Sequence, residues 1–246
     1  MSLQEGIASV RQRIAQACQR AGRPAPSVTL VAVTKQVPVE AIRGAIALGL
    51  TELGENRVQD ARDKQLALGS GLRAVGPGPR ALSPQPVRWH LIGHLQRNKA
   101  KSAVELFEVI HAVDSLPLIE ELSRHTQQRE RRLDALVQVN VSGEATKHGC
   151  PPDEAQRLAE AILAARSLSW RGLMTIAPLS ADPEQARPHF RRLRELRDAL
   201  SATLGVDRAA LRLSMGMSQD FEVAIEEGAD LVRIGTAIFG AREDHA

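Results

Sequence analysis

The chain has 246 residues, 43% hydrophobic and 25% charged, a composition that excludes a disordered or collagen-like polypeptide. Its 32 basic and 29 acidic residues leave a net charge of +3, and with 2% aromatics and no tyrosine there is no platform for stacking nucleic-acid bases. No apolar run approaches the roughly 18–20 residues that span a bilayer, and Cys18 and Cys150, far apart and outside any CxxC, point to a reducing cytoplasm instead of a disulfide framework or a cysteine-rich zinc site.

Apolar residues recur at helical spacing over 3–21 (Ile7, Val10, Ile14, Ala17, Cys18), and Gly22 suits the end of this leading helix. Residues 28–34 (VTLVAVT) are a short β-branched and apolar run, as expected of a strand buried on both faces. A helix over 39–48 stops at Gly49. Further strands are expected at 52–53, 88–92, 107–113, 136–141, 170–176, 211–215 and 230–234. Helices separate them near 58–68, 96–105, 116–128, 153–165, 183–204 and 218–227. Strict β-α alternation implies a parallel sheet, and eight units in this length predict an α/β fold with a single (β/α)8 TIM barrel over 1–246 and an extra N-terminal helix. An open doubly wound sheet is the alternative, but no Gly-x-Gly-x-x-Gly follows the first strand. Residues 69–86, rich in Gly, Pro and Ser, read as a surface loop and not as a domain boundary.

In such a barrel, function gathers at the C-terminal ends of the strands. Of the 32 basic residues only five are lysine, so Lys35 at the end of the apolar VAVTK strand calls for an explanation. Alternation puts it on the face of Val31 and Val33, opposite Ala32 and Thr34. If that face is the inner one, the amine enters the barrel mouth, where a desolvated lysine attacks carbonyls to form a Schiff base. A strand-end lysine reaching solvent is the other reading. At the last two strands, Ser214 and Ser218 in LSMGMS and Gly235 and Thr236 in RIGTAIF offer hydroxyls, close backbone approach and helix-opening amides, which together favour a phosphorylated ligand. Arg233 shares a face with Leu231 and, inside a barrel mouth, requires an acceptor. His90 and His94 in WHLIGH lie on a strand and turn, a poor zinc geometry. Asn56 and Asn140 sit at or just past strand ends, where each could touch a ligand or satisfy loop backbone.

The blocks LVAVTK (30–35), GENRVQD (54–60), WHLIGHLQRNK (89–99), VNVSGEATKHG (139–149), GLMTIAP (172–178) and 213–240 together resemble the YggS/PROSC family of pyridoxal-phosphate homeostasis proteins. The resemblance covers 7–240. That family looks like the barrel domain of alanine racemase, the fold-type III cofactor enzymes, without their second β-domain. The resemblance implies pyridoxal 5′-phosphate (PLP) as a covalent aldimine on Lys35, Arg233 facing the pyridine nitrogen, and Ser214, Ser218, Gly235 and Thr236 around the phosphate. It also implies that Asn56 lines the pocket and places Lys147 near it. Family members often carry proline where His94 stands, and MTIAP here replaces a shorter MAIP.

What the resemblance implies for activity is a cofactor-binding protein that buffers or delivers PLP with little or no catalysis. An arginine at the pyridine nitrogen disfavours its protonation and weakens the ring as an electron sink. Racemases of this type add a tyrosine as a second acid/base, and this chain has none. A one-base amino-acid racemase or decarboxylase is the alternative, and a cofactor-free sugar-phosphate isomerase stands third. A cytoplasmic monomer is expected, with PLP and apo forms of PLP-dependent enzymes as partners, and neither nucleic acid nor membrane.

Overall fold

Short apolar strands and amphipathic helices alternate along the chain until the last strand meets the first. The computed structural model describes residues 2–69, 87–144 and 147–240. The strands are β1 (Thr29–Val33), β2 (Glu52–Glu55), β3 (Arg88–Leu91), β4 (Val109–Val113), β5 (Leu133–Gln138), β6 (Leu168–Met174), β7 (Arg212–Ser214) and β8 (Leu231–Ile234). They form a closed parallel barrel in chain order, sealed where Val31 of β1 pairs with Arg233 of β8. The helices are α1 (Leu3–Arg20), α2 (Val39–Ala47), α3 (Val58–Leu68), α4 (Ala100–Leu106), α5 (Leu116–Gln128), α6 (Ala155–Ala164), α7 (Arg187–Leu204), α8 (Phe221–Glu226) and α9 (Thr236–Phe239). This is the (β/α)8 TIM barrel expected, with α1 as the extra leading helix. Ser2 and Glu5 open α1 with a reciprocal capping box, which satisfies two amides left over at the helix start. Residues 70–86 of the expected 69–86 loop lie outside the described residues.

Two apolar clusters separate inside from outside. Val31, Val109, Ala112, Leu136, Met174 and Leu231 come from five strands and meet only one another and Ile176, which puts them in the barrel interior. Ala32, Leu53, Leu91 and Ile110 point the other way and pack with the helices. The inner face of β1 is therefore the face of Val31, and Val33 and Lys35 follow it to the mouth.

Two strands begin earlier than expected. β5 starts at Leu133 and β6 at Leu168, and within β5 the charge of Asp134 finds partners across the barrel end. Asp134 takes hydrogen bonds from Arg88 at 3.2 Å and Arg171 at 2.9 Å, so its charge is paired and no longer breaks the strand. The helix expected at 218–227 is shorter. It opens at Phe221 with Asp220 as its N-cap, leaving Ser218 in the preceding turn.

That turn depends on Gly216. Its φ is +90°, and a Cβ there would lie 2.6 Å from Ala224 Cβ and 2.8 Å from Phe221 Cα. Gly216→Ala is expected to cost about 2–4 kcal/mol, from overpacking and from left-handed strain together. The check is a lower urea midpoint at unchanged slope. An unchanged midpoint would contradict the tight packing of this turn on α8.

Candidate functional site

At the C-terminal ends of the strands lies a cavity of about 380 Å³, within the roughly 300–1,000 Å³ typical of small-ligand sites. Lys35, Asn56, Ser218, Arg233, Gly235 and Thr236 all line it, although they come from four separate stretches of chain. Val33, Ile92, Ile176 and Met217 give it apolar walls.

Lys35 stands on a clamped strand end. Its neighbour Thr34 points outward, where the hydroxyl donates to Glu55 Oε1 at 2.6 Å. Lys64 donates to the same carboxylate and to the Thr34 carbonyl. Gln36 then turns the chain at a φ of +58°. Among the described residues nothing takes a hydrogen bond or ion pair from the Lys35 amine. The same holds for the side chains of Asn56, Ser218 and Thr236, so the polar groups lining the cavity are largely unspent.

Arg233 is the exception. It is 3% exposed, and its Nη1 donates to Ser214 Oγ at 2.6 Å while Nη2 donates to the Thr175 carbonyl at 2.8 Å. Burial pushes the guanidinium down to about 10, with Asp220 opposing, so it is still a cation at neutral pH. Asp220 is itself raised by burial, against the pull of the Met217 amide and of Arg233. Ser214 lies one layer deeper than expected. It does not line the cavity but sits fully buried beneath it, its hydroxyl shared between Arg233 and His111.

Gly235 precedes α9, and its carbonyl accepts from the amides of Ile238 and Phe239. Thr236 opens that helix at the cavity rim. Asn56 follows β2, and its backbone presses on Gly93, where a Cβ would come within 2.4 Å of the Asn56 carbonyl.

Other residues singled out in the sequence go elsewhere. Asn140 satisfies its own loop, donating to the Glu144 carbonyl at 2.9 Å and accepting from Ser142 and the Gly143 amide. His90 and His94 part company. His90 turns into the barrel toward Glu52, while His94 lies 3.3 Å from Asp114 and stacks on His148. Burial, then Glu154 and Asp114, push the Cys150 thiol up to about 12, so it stays protonated at neutral pH.

The residue that the sequence reading missed is His111. It is fully buried against Ser214 and His90. The signal was present: one polar residue inside the otherwise apolar VIHAV of β4, as unexpected there as Lys35 at the end of β1.

The alanine racemase N-terminal-domain family matches residues 7–243. A pyridoxal phosphate homeostasis protein of Aquifex aeolicus is 42% identical over 243 residues, covering 99% of this chain and all of its own. One of Pseudomonas aeruginosa is 43% identical over 242 residues, covering 98% of this chain and 96% of its own. Among solved structures, PipY of Synechococcus elongatus with PLP bound superposes with a TM-score of 0.78 at 34% identity, covering 97% of this chain and all of that one.

Proposed function

The chain belongs to the alanine racemase N-terminal-domain family, and we propose that it binds PLP in the cavity at the C-terminal barrel mouth and serves PLP homeostasis, holding and releasing the cofactor with little chemistry of its own. The observation that carries this reading is the donor set of that cavity. An amine, a carboxamide and two hydroxyls without partners among the described residues surround a held, buried guanidinium. An aldehyde, a ring nitrogen and a phosphate on one flat molecule match that set. The homologues named for PLP homeostasis and the PLP bound in PipY support the same ligand.

Bound PLP supplies an electrophilic aldehyde and a ring that accepts electrons from an adjacent carbanion. Lys35 is the amine that would bond the aldehyde carbon. Arg233, donor-only and cationic, would meet the pyridine nitrogen and keep it unprotonated, which weakens the ring as an electron sink. Ser218, Thr236 and the amides at Gly235 would take the phosphate, and Asn56 the remaining edge. Val33, Ile92 and Ile176 would give the bound cofactor apolar walls.

The same cavity is poor in acid/base partners for racemisation, which needs a base on each face of the substrate. His90 is turned away beneath the barrel, and Lys147 is not among the lining residues. Asp182 and Asp220 do line it, but each accepts from a backbone amide of its own turn. Negligible racemase, transaminase and decarboxylase turnover is therefore expected across the common amino acids. The test uses stoichiometric PLP-loaded protein with saturating amino acid, read by chiral chromatography. Sustained turnover that vanishes in Lys35→Ala would replace the carrier reading with a one-base racemase or decarboxylase.

A further inference from the structure

One continuous line of polar side chains crosses the barrel interior. Arg233 Nη1 donates to Ser214 Oγ at 2.6 Å, Ser214 Oγ meets His111 Nδ1 at 2.8 Å, His111 Nε2 meets His90 Nδ1 at 2.8 Å, and His90 Nε2 meets Glu52 Oε2 at 2.5 Å. The five residues come from β8, β7, β4, β3 and β2. All but Glu52 are at most 3% exposed.

The two ends fix the direction of every bond between them. A guanidinium can only donate, and a carboxylate can only accept. Ser214 receives the Arg233 proton and so spends its own on His111 Nδ1. His111 must then carry its proton on Nε2 and give it to His90 Nδ1. His90 must likewise carry its proton on Nε2 and give it to Glu52. Both imidazoles are neutral in this scheme, and no atom in the line lacks a partner. Burial above all, with the charge of Arg233, holds His111 well below the usual histidine range, in agreement with a neutral ring. Burial raises the Glu52 carboxyl, but the His90 hydrogen bond and the charges of Arg88 and Arg212 outweigh it, so the carboxyl lies below its usual range and is ionised at neutral pH.

Among the described residues Arg233 forms no ion pair. A buried cation is costly without compensation, and each hydrogen bond in a one-way chain polarises the next. We propose that Glu52, His90 and His111 are positioning residues for Arg233: the one-way chain ties Nη1 to Ser214 while the Thr175 carbonyl holds Nη2, adds a distant counter-charge to that of Asp220 in the cavity wall, and leaves the remaining guanidinium N–H groups for the ligand. This rests on the cavity being the PLP site only for naming the ligand atom that Arg233 meets, the pyridine nitrogen. The chain itself requires no ligand.

Two measurements test it separately. In the cofactor-free full chain, long-range ¹H–¹⁵N correlation spectra are expected to show His90 and His111 as neutral Nε2–H tautomers at neutral pH. A proton on Nδ1 of either ring would overturn the proposal whatever the cavity binds. In the PLP-loaded protein, Glu52→Leu and His111→Phe are expected to release PLP about tenfold faster or more and to shift the pyridine ¹⁵N resonance of labelled cofactor. Glu52→Gln, whose amide oxygen still accepts from His90 but whose charge is gone, should fall between wild type and Glu52→Leu in both. A matching urea midpoint shows that each variant is folded. Wild-type release and an unmoved resonance in folded Glu52→Leu and His111→Phe would overturn the proposal. Failure of the wild-type chain to bind PLP would instead overturn the reading of the cavity and leave the tautomers to decide the chain.

Discussion

Lys35→Ala is expected to abolish the yellow colour that the protein takes up with PLP and to leave no adduct for borohydride to trap. Among the described residues Lys35 is the single lysine lining the cavity. The other four are placed or occupied elsewhere. Lys64 is bound to Glu55 and the Thr34 carbonyl on the outer side of β1. Lys99 and Lys101 lie at the start of α4, and Lys147 lies in the loop ordered by Asn140. Arg233 and the phosphate-side donors are untouched by the substitution, so weak non-covalent binding should survive the loss of colour. Difference absorbance and intact-mass analysis after borohydride separate the two. A variant that stays yellow and traps one equivalent would mean that another amine carries the aldehyde.

The second large effect concerns the phosphate. Ser218, Thr236 and the amides at Gly235 are neutral donors, and hydrogen bonds from such donors to a charged acceptor contribute about 1.5–3 kcal/mol each. Thr236→Val removes one donor. Gly235→Asp sets a carboxylate against the dianion, and at a φ of −116° an aspartate side chain meets no backbone strain there. Affinity for PLP should fall about 10- to 100-fold in either variant, while affinity for unphosphorylated pyridoxal should hardly change. Parallel titrations with the two ligands give the answer. Equal losses for both would place the phosphate elsewhere in the cavity.

Much of this site was legible before any coordinates. Buried parallel strands read as apolar runs, so the eight-fold alternation stood out, and alternation along VAVTK put Lys35 on the face of Val31, which the structure makes the inner one. What escaped the sequence has a common cause, which is polar groups whose partners lie on other strands. The early start of β5 escaped because Asp134 is paired from other strands, by Arg88 of β3 and Arg171 of β6. Ser214 was placed on the right strand but at the wrong depth, since a strand-end serine looks the same in sequence whether it faces a ligand or supports an arginine. His90 invited pairing with His94, four residues away, when its partners Glu52 and His111 lie 38 and 21 residues off. The helix expected from 218 opens only at Phe221 with Asp220 as its N-cap, which leaves Ser218 in the turn before it. Sequence spacing identified the stretches that meet at the barrel mouth but not which hydroxyls those stretches leave unspent.

The account stands on Lys35 being the amine that holds PLP. The most direct measurement is borohydride reduction of the wild-type protein saturated with PLP, followed by proteolysis and peptide mapping by mass spectrometry. The predicted result is a single reduced adduct on the peptide containing Lys35, at one equivalent per chain. An adduct on Lys64, Lys99, Lys101 or Lys147 with Lys35 unmodified, or no adduct at saturating PLP, would contradict it.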